Sequence, residues 1–243
     1  MLSKRLKKHY DDYYEEESEW RRICAIDKVE NIRGFCERLP HRRILEIGSG
    51  EGAILHRLDE LSFGEELYSL EISKAGVDII SRRKIPILKE CRLFNGADIP
   101  YENDYFDLAI LSHVVEHLEH PRQILYEAGR VARYVFVEVP LEDNVRLKKD
   151  YQPDSVGHIN FFSPKTIRRI LQTCDFEILA QTIKNPSYPI YRYQYGSGAW
   201  LRYLPKEISL RLFPPIAPSF WTYHCSLVCQ SVMLHTECEF SLV

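Results

Sequence analysis

The chain has 243 residues, 45% of them hydrophobic, and a formal net charge of −3. That length fits one decorated α/β domain with a full core, and that charge gives no reason to expect an overall nucleic-acid binder. No apolar run approaches the roughly 20 residues of a membrane span, so no membrane partner is expected.

The first 19 residues swing from basic to acidic. They read as a solvated helix or arm, or as a flap whose stacking surface comes from Tyr10, Tyr13, Tyr14 and Trp20. MLSKRLKKHY leads into acids rather than an apolar stretch, so it is not a secretory signal. From Trp20 to Leu39, Ile23, Ile26, Val29, Ile32, Phe35 and Cys36 recur at helical spacing, and Pro40 ends the run. This helix is expected to pack on a sheet. The seven cysteines (Cys24, Cys36, Cys91, Cys174, Cys225, Cys229, Cys238) form no Cys-x-x-Cys pair. That usage fits reduced thiols in a cytoplasmic protein.

Arg43–Ile47 reads as a strand that breaks into a turn at Gly48, Gly50 and Gly52, with a helix over Ala53–Leu61. Strand, glycine turn and helix form the first unit of a doubly wound α/β nucleotide-binding domain. The glycines allow close approach of a ligand to the main chain, and the helix N-terminus suits a carboxylate or phosphate. The second strand, Leu67–Ile72, carries Glu71 near its tip, where an acid can accept from a ribose diol or cap the helix starting near Ser73.

Ile85–Phe94 gives a third strand and its approach, Asn95–Pro100 a loop, and Tyr105–Leu111 a buried fourth strand. Ser112–Leu118 is expected to open a helix that Pro121 interrupts, with Gln123–Val131 continuing it. Tyr134–Val139 is the fifth strand, closed by Pro140. Leu141–Phe162 is a long polar connection. Ser163 caps a helix with Pro164 at its first position, and Phe176–Ile183 is the sixth strand. Asn185–Tyr223 is rich in Tyr and Pro and reads as an insertion where a substrate cover would sit. His224–Met233 returns to strand composition, and the tail after Leu234 is expected to fray.

In order, ILEIGSGEG, LYSLEIS and NGADIPYENDYFDLAILSHVVEHLEHP resemble the class I S-adenosylmethionine (SAM)-dependent methyltransferases, over roughly residues 42–174. The last phrase is especially like the small-molecule enzymes of that class. The dehydrogenase pattern fits worse, because the turn lacks the wider G-x-G-x-x-G spacing. The resemblance implies a doubly wound, Rossmann-like seven-stranded sheet with SAM as cofactor. The whole divides into an N-terminal helical arm (1–39), a SAM-binding core (40–184), an aromatic-rich cover (185–223), and a final strand with its tail (224–243).

By the same resemblance, the backbone around Ile47, Gly48, Ser49, Gly50 and Gly52 would hold the methionine end of SAM, and Glu46 would help anchor its amino group. Glu71 would take the ribose hydroxyls, with Ile72 against the adenine. Asp98 would accept from the adenine amino group, Ala97 and Ile99 would line the ring, and Ser112 and His113 would border the sulfonium and the substrate. Methyl transfer needs alignment above all, and a hydroxyl acceptor adds a general base, for which His113 and His158 are the candidates. His117 and His120 read as scaffold. No metal is assigned, although His113, Glu116, His117 and His158 resemble the metal-ligand pattern of the small-RNA 2′-O-methyltransferases, with His113 where those enzymes place a glutamate.

The expected activity is methyl transfer to a small-molecule acceptor, oxygen ahead of nitrogen, by a chain compatible with a homodimer and without a nucleic-acid partner. The alternatives are a non-catalytic SAM-binding subunit of a complex and a metal-dependent RNA 2′-O-methyltransferase.

Overall fold

The computed structural model describes residues 19–150 and 157–232. The basic-to-acidic segment with Tyr10, Tyr13 and Tyr14, and the tail after Leu234, lie outside them. The described residues form a seven-stranded sheet flanked by helices. In chain order the elements are α1 (Glu19–Cys36), β1 (Arg43–Ile47), α2 (Ala53–Glu60), β2 (Glu66–Glu71), α3 (Lys74–Arg82), β3 (Leu88–Leu93) and β4 (Phe106–Ser112). There follow α4 (Pro121–Val131), β5 (Ala132–Pro140), α5 (Pro164–Gln172), β6 (Phe176–Lys184), α6 (Tyr188–Tyr195), α7 (Ala199–Leu212) and β7 (His224–Ser231).

The sheet order is β3-β2-β1-β4-β5-β7-β6. β1 to β5 pair in parallel, while β7 lies antiparallel between β5 and β6. The strand order reverses between β1 and β4, and open α/β sheets bind ligands beyond the carboxyl ends of the strands at such a point. The central strands are near-continuous apolar runs because helices cover both faces. Along β1, β4 and β5 the side chains alternate between two cores. Leu45, Ala109, Leu111, Val135 and Val137 face the α4 and α5 side. Ile44, Leu108, Ile110, Tyr134 and Phe136 face the α1 and α2 side.

α1 therefore belongs to the domain core. Its buried stripe is Ala25, Val29, Ile32 and Cys36; Ile26, expected on that stripe, is exposed. The helix expected from Ser112 does not form. β4 continues through Ser112, and only a 3₁₀ turn, Val115–His117, follows before α4. The Glu138 carbonyl takes the His113 N–H at 2.8 Å, and Asn160 Nδ2 donates to the carbonyl of Leu118 at 2.6 Å. Two adjacent β-branched residues, Val114 and Val115, add to the cost of a helix here. The expected insertion before the last strand is a helical hairpin, α6 and α7.

Candidate active site

Two adjoining cavities open beyond the carboxyl ends of β1, β2 and β4. The smaller, about 80 Å³, is lined mainly by apolar groups: Ile47, Ile72, Phe94, Val114, Leu118 and Ile124, with Glu71 at one wall. The larger, about 370 Å³, lies under α1 and takes in the glycine turn, Ser112, Glu142, His158, Ile190 and His224. Gly48, His113 and His117 border both.

The glycine turn joins them. Gly48, Gly50 and Gly52 all have positive φ, at 75°, 57° and 77°. A Cβ on Gly48 would lie 2.7 Å from Val114 Cγ2 and fill the junction between the chambers. Gly76 of α3 comes equally close, since a Cβ there would meet the Gly50 carbonyl at 2.5 Å. Glu71 holds this packing together. One carboxylate oxygen accepts from Gly50 N at 2.6 Å, and the other accepts from Ile72 N and Ser73 N at 2.9 Å each. Ser73 in turn caps α3. Glu71 thus fastens β2 to the turn while lining the small cavity.

Glu46, 3% exposed, faces the large cavity. Its Oε2 has no hydrogen-bond partner. Burial pushes its carboxyl up to about 8 even though Lys28 of α1 pulls it down. An orphaned acid beside a glycine cradle fits an incoming ammonium group, because a cation there would restore the carboxylate's missing partner. Lys28 and Arg21 also reach this cavity from α1. Arg21 is further engaged by the buried Glu51, which Arg83 contacts at 3.0 Å. Of the adenine-side residues expected from the sequence, Ile72 lines the small cavity. The walls there are Phe94 and Gly96. Asp98 is instead exposed and accepts from Asn95 Nδ2 at 2.7 Å. Ile99 sits 3% exposed in the core, and Ala97 donates its N–H to Asn95.

The other end of the large cavity gathers ionisable groups from five segments. Ser112, Glu138, Ser226 and His224 share one strand parity with Ile110, Phe136 and Val228, so all face α1. Glu138 is fully buried and accepts from Ser226 Oγ at 2.6 Å, Asn31 Nδ2 at 2.7 Å and Ser112 Oγ at 3.3 Å. His113 follows β4 with φ +57°, a costly angle for a histidine. That angle sets its ring between two acids: Nδ1 lies 3.2 Å from Glu116 Oε1 and Nε2 3.5 Å from Glu138 Oε1. The His224 ring packs edge-on at 4.5 Å.

The charges follow from these contacts. Burial and Lys28 pull His113 down, but Glu116 and Glu138 outweigh them and hold its proton above the ordinary histidine range. Burial lifts Glu116 and Glu138, and His113 brings both below the carboxylate range. His224, squeezed by burial and then by the His113 charge, falls to about 3 and is neutral. Two carboxylates thus hold the His113 proton more firmly than an ordinary histidine holds its own, which makes it a weaker proton acceptor.

His158, 9% exposed, is arranged differently. Its Nδ1 lies 2.7 Å from Glu142 Oε2, and its ring packs against His117 at 4.8 Å. His117 Nδ1 lies 3.3 Å from the Gly157 carbonyl. The structure thus places His117, read as scaffold, on the cavity wall, and leaves His120 exposed at the start of α4. The backbone N–H groups of Ile159 and Asn160 both bond the Glu116 carbonyl at 2.9 Å, which ties this loop to the 3₁₀ turn.

Among the described residues, two groups of side chains have spacing suited to a cation: Glu116 with His117 and His158, and His113 with Glu138 and His224, each within 4.8 Å. In the first, Glu116 Oε1 faces His113 Nδ1 at 3.2 Å and Oε2 accepts no hydrogen bond. Sequence reasoning missed Asn31, Lys28, Glu138, Glu142 and His224. One signal was present: Glu138 is an acid inside YVFVEV, an otherwise buried strand.

A family model described as a methyltransferase domain matches residues 17–181. An uncharacterized protein of Methanocaldococcus jannaschii, MJ1123, is 25% identical over 185 residues, 71% of this chain and 83% of the relative. Geranyl diphosphate C-methyltransferase from Streptomyces coelicolor superimposes with a TM-score of 0.65 at 11% identity, covering 95% of this chain and all of that one. A phosphoethanolamine N-methyltransferase from Haemonchus contortus, solved with S-adenosylhomocysteine, gives 0.64 at 13% identity, over 95% of this chain and 60% of that one. At such identities the shared property is the fold.

Proposed function

The chain belongs to the SAM-dependent methyltransferases, and we propose that it methylates a hydroxyl of a compact small molecule held in the larger cavity. The cofactor, when bound, supplies an electrophilic methyl group on a sulfonium. Glu46 and the turn Ile47–Gly52 would hold the amino-acid end, with Lys28 of α1 facing the same cavity. Glu71 and Ile72 hold the nucleoside end in the smaller cavity. Ser112 and His113 border the gap between them. The observation that carries the oxygen assignment is the His158–Glu142 pair at 2.7 Å. Glu142 accepts the Nδ1 proton, which leaves the Nε2 lone pair as the basic site, an arrangement suited to removing a hydroxyl proton. His113 takes a different role from the one expected for it: with its proton held between two acids, it orients and balances charge. The cavity of about 370 Å³ lies within the range of small-molecule sites.

Calorimetric titration with S-adenosylhomocysteine tests the cofactor half. Binding is expected, reduced at least about tenfold in Glu46→Gln, since the orphaned acid is the ammonium's partner. An acceptor screen with labelled SAM then tests the rest. Labelling of amines alone, with no hydroxyl acceptor, would overturn the oxygen assignment.

A metal-assisted variant is favoured by one observation, the buried Glu116 carboxylate, whose Oε2 accepts no hydrogen bond, beside His117 and His158. Those donors suit a divalent ion that would lower the acceptor hydroxyl's affinity for its proton. Loss of turnover in chelator, restored by added metal, would select this variant. Turnover indifferent to chelator leaves His158 as the base.

A further inference from the structure

The helical hairpin of α6 and α7 shows the wrong face to water. In α7, Trp200, Leu204, Ile208 and Leu212 recur every fourth residue, and they are 52%, 44%, 52% and 66% exposed. The stripe continues past the helix through Phe213 and Ile216, at 59% and 55%. Among the described residues, ten of the eighteen exposed large apolar side chains fall between Tyr193 and Phe220. Such clustering goes beyond the scattered apolar groups of an ordinary surface.

The opposite face of α7 is committed to the domain, which prevents the helix from turning the stripe inward. Ala199 is fully buried. Tyr203 packs edge-on against Tyr188 and Tyr191, at 5.6 and 5.5 Å. The Lys206 carbonyl accepts from Tyr223 Oη at 2.7 Å, and Leu210 lies against the main core.

Charge identifies what the stripe fits. Between residues 185 and 223 the sequence carries Arg192, Arg202 and Arg211 against one acid, Glu207, with the Lys206 ammonium turned inward over the Tyr191 and Tyr223 rings. Arg211 already engages that acid at 3.0 Å. The hairpin is thus net positive within a chain of net charge −3. Apolar side chains with cations alongside, and amphipathic rings at Tyr193, Tyr195 and Trp200, are the features of a helix lying in a bilayer interface. We propose that the α6–α7 hairpin docks this protein on the surface of a membrane containing anionic lipids. The expectation of no membrane partner rested on the absence of a spanning run. No helix among the described residues is long and apolar enough to cross a membrane, and interfacial docking requires none. Ile190, on α6, lines the larger cavity, so the docking element and the proposed acceptor site share a helix.

Vesicle flotation of the full chain tests this. Binding is expected to phosphatidylcholine vesicles carrying phosphatidylglycerol, and at least about tenfold weaker binding to phosphatidylcholine alone. The double variant Leu204→Glu/Ile208→Glu is expected to lose vesicle binding while keeping its thermal midpoint and its affinity for S-adenosylhomocysteine. If that variant fails to fold, Arg192→Gln/Arg202→Gln carries the test, with an expected loss of about tenfold or more. Failure of the wild type to float, or binding unchanged in the folded variants, would overturn the proposal. So would a dimer in solution that Leu204→Glu/Ile208→Glu splits, since the face would then belong to a second copy.

Discussion

The two ends of the joined cavity are built in opposite ways. The cofactor end comes from short contiguous stretches, Glu46–Gly52 and Glu71–Ser73, whose backbones do most of the holding. Glu71 satisfies three N–H groups from two of those stretches. The acceptor end is assembled from Asn31, His113, Glu116, Glu138, Glu142, His158 and His224, where side chains interact across intervals such as the 107 residues between Asn31 and Glu138. A backbone cradle tolerates changes that keep its conformation. A buried charge network tolerates very little, because removal of one member leaves the others desolvated and unpaired.

The contrast can be broken at several points. The largest effect is expected at the base. His158→Gln should lower kcat by about 10² to 10⁴ while leaving S-adenosylhomocysteine affinity unchanged; an unchanged kcat would remove His158 from the mechanism. Glu142→Gln should give a smaller loss of the same kind, with Glu142→Asp recovering part of it, because Glu142 acts through His158.

Next comes the buried network. Glu138→Ala strands Asn31, Ser226 and His113 in the core, and urea unfolding should show a loss of about 3–5 kcal/mol. A loss below about 1 kcal/mol would mean that water readily replaces the carboxylate.

At the cofactor end, Gly48→Ala introduces a positive-φ alanine and a Cβ at 2.7 Å from Val114. The strain of the left-handed conformation alone is about 1–2 kcal/mol. That strain lowers the stability of the fold, and because the Cβ also intrudes where both cavities meet, calorimetry should show roughly tenfold weaker binding of S-adenosylhomocysteine.

The smallest effect is in pH. A Glu46 carboxyl near 8 is mostly protonated at neutral pH, whereas an ammonium ligand favours the carboxylate. Binding should therefore release a proton, and affinity should rise by up to about tenfold per pH unit below that pKa. Titrations in buffers of different ionisation enthalpy would measure the release. A pH-independent affinity, unaltered in Glu46→Gln, would show that Glu46 does not meet the ligand.

Much of the core was legible along the chain. The seven strands fall close to where apolar runs, glycines and prolines placed them, whereas the bond from Gly50 N to Glu71 that joins the glycine turn to β2 was not read from the sequence. Asp98 and Ile99 show the limit. The short loop after β3 reads as a continuous wall, but Asn95 takes up Asp98 and the core takes up Ile99, so the cavity falls to Phe94 and Gly96. The same limit appears at His113, which reads as an ordinary base until two buried carboxylates are placed around it.

From its residues alone this chain specifies a parallel-type sheet and the β1–β2 cradle, because periodicity and turn chemistry act over a few neighbouring positions, while the SAM-binding class is what the resemblance of its motifs implies. The tertiary structure alone decides which histidine is charged, which is paired to an acid, and that the insertion turns its apolar stripe outward. Protonation depends on burial and on charges a few ångströms away, and the groups that supply them here are distant in sequence. Only the fold brings Glu138 and His224 to His113, or pins Tyr203 and Lys206 inward so that Leu204 and Ile208 face out.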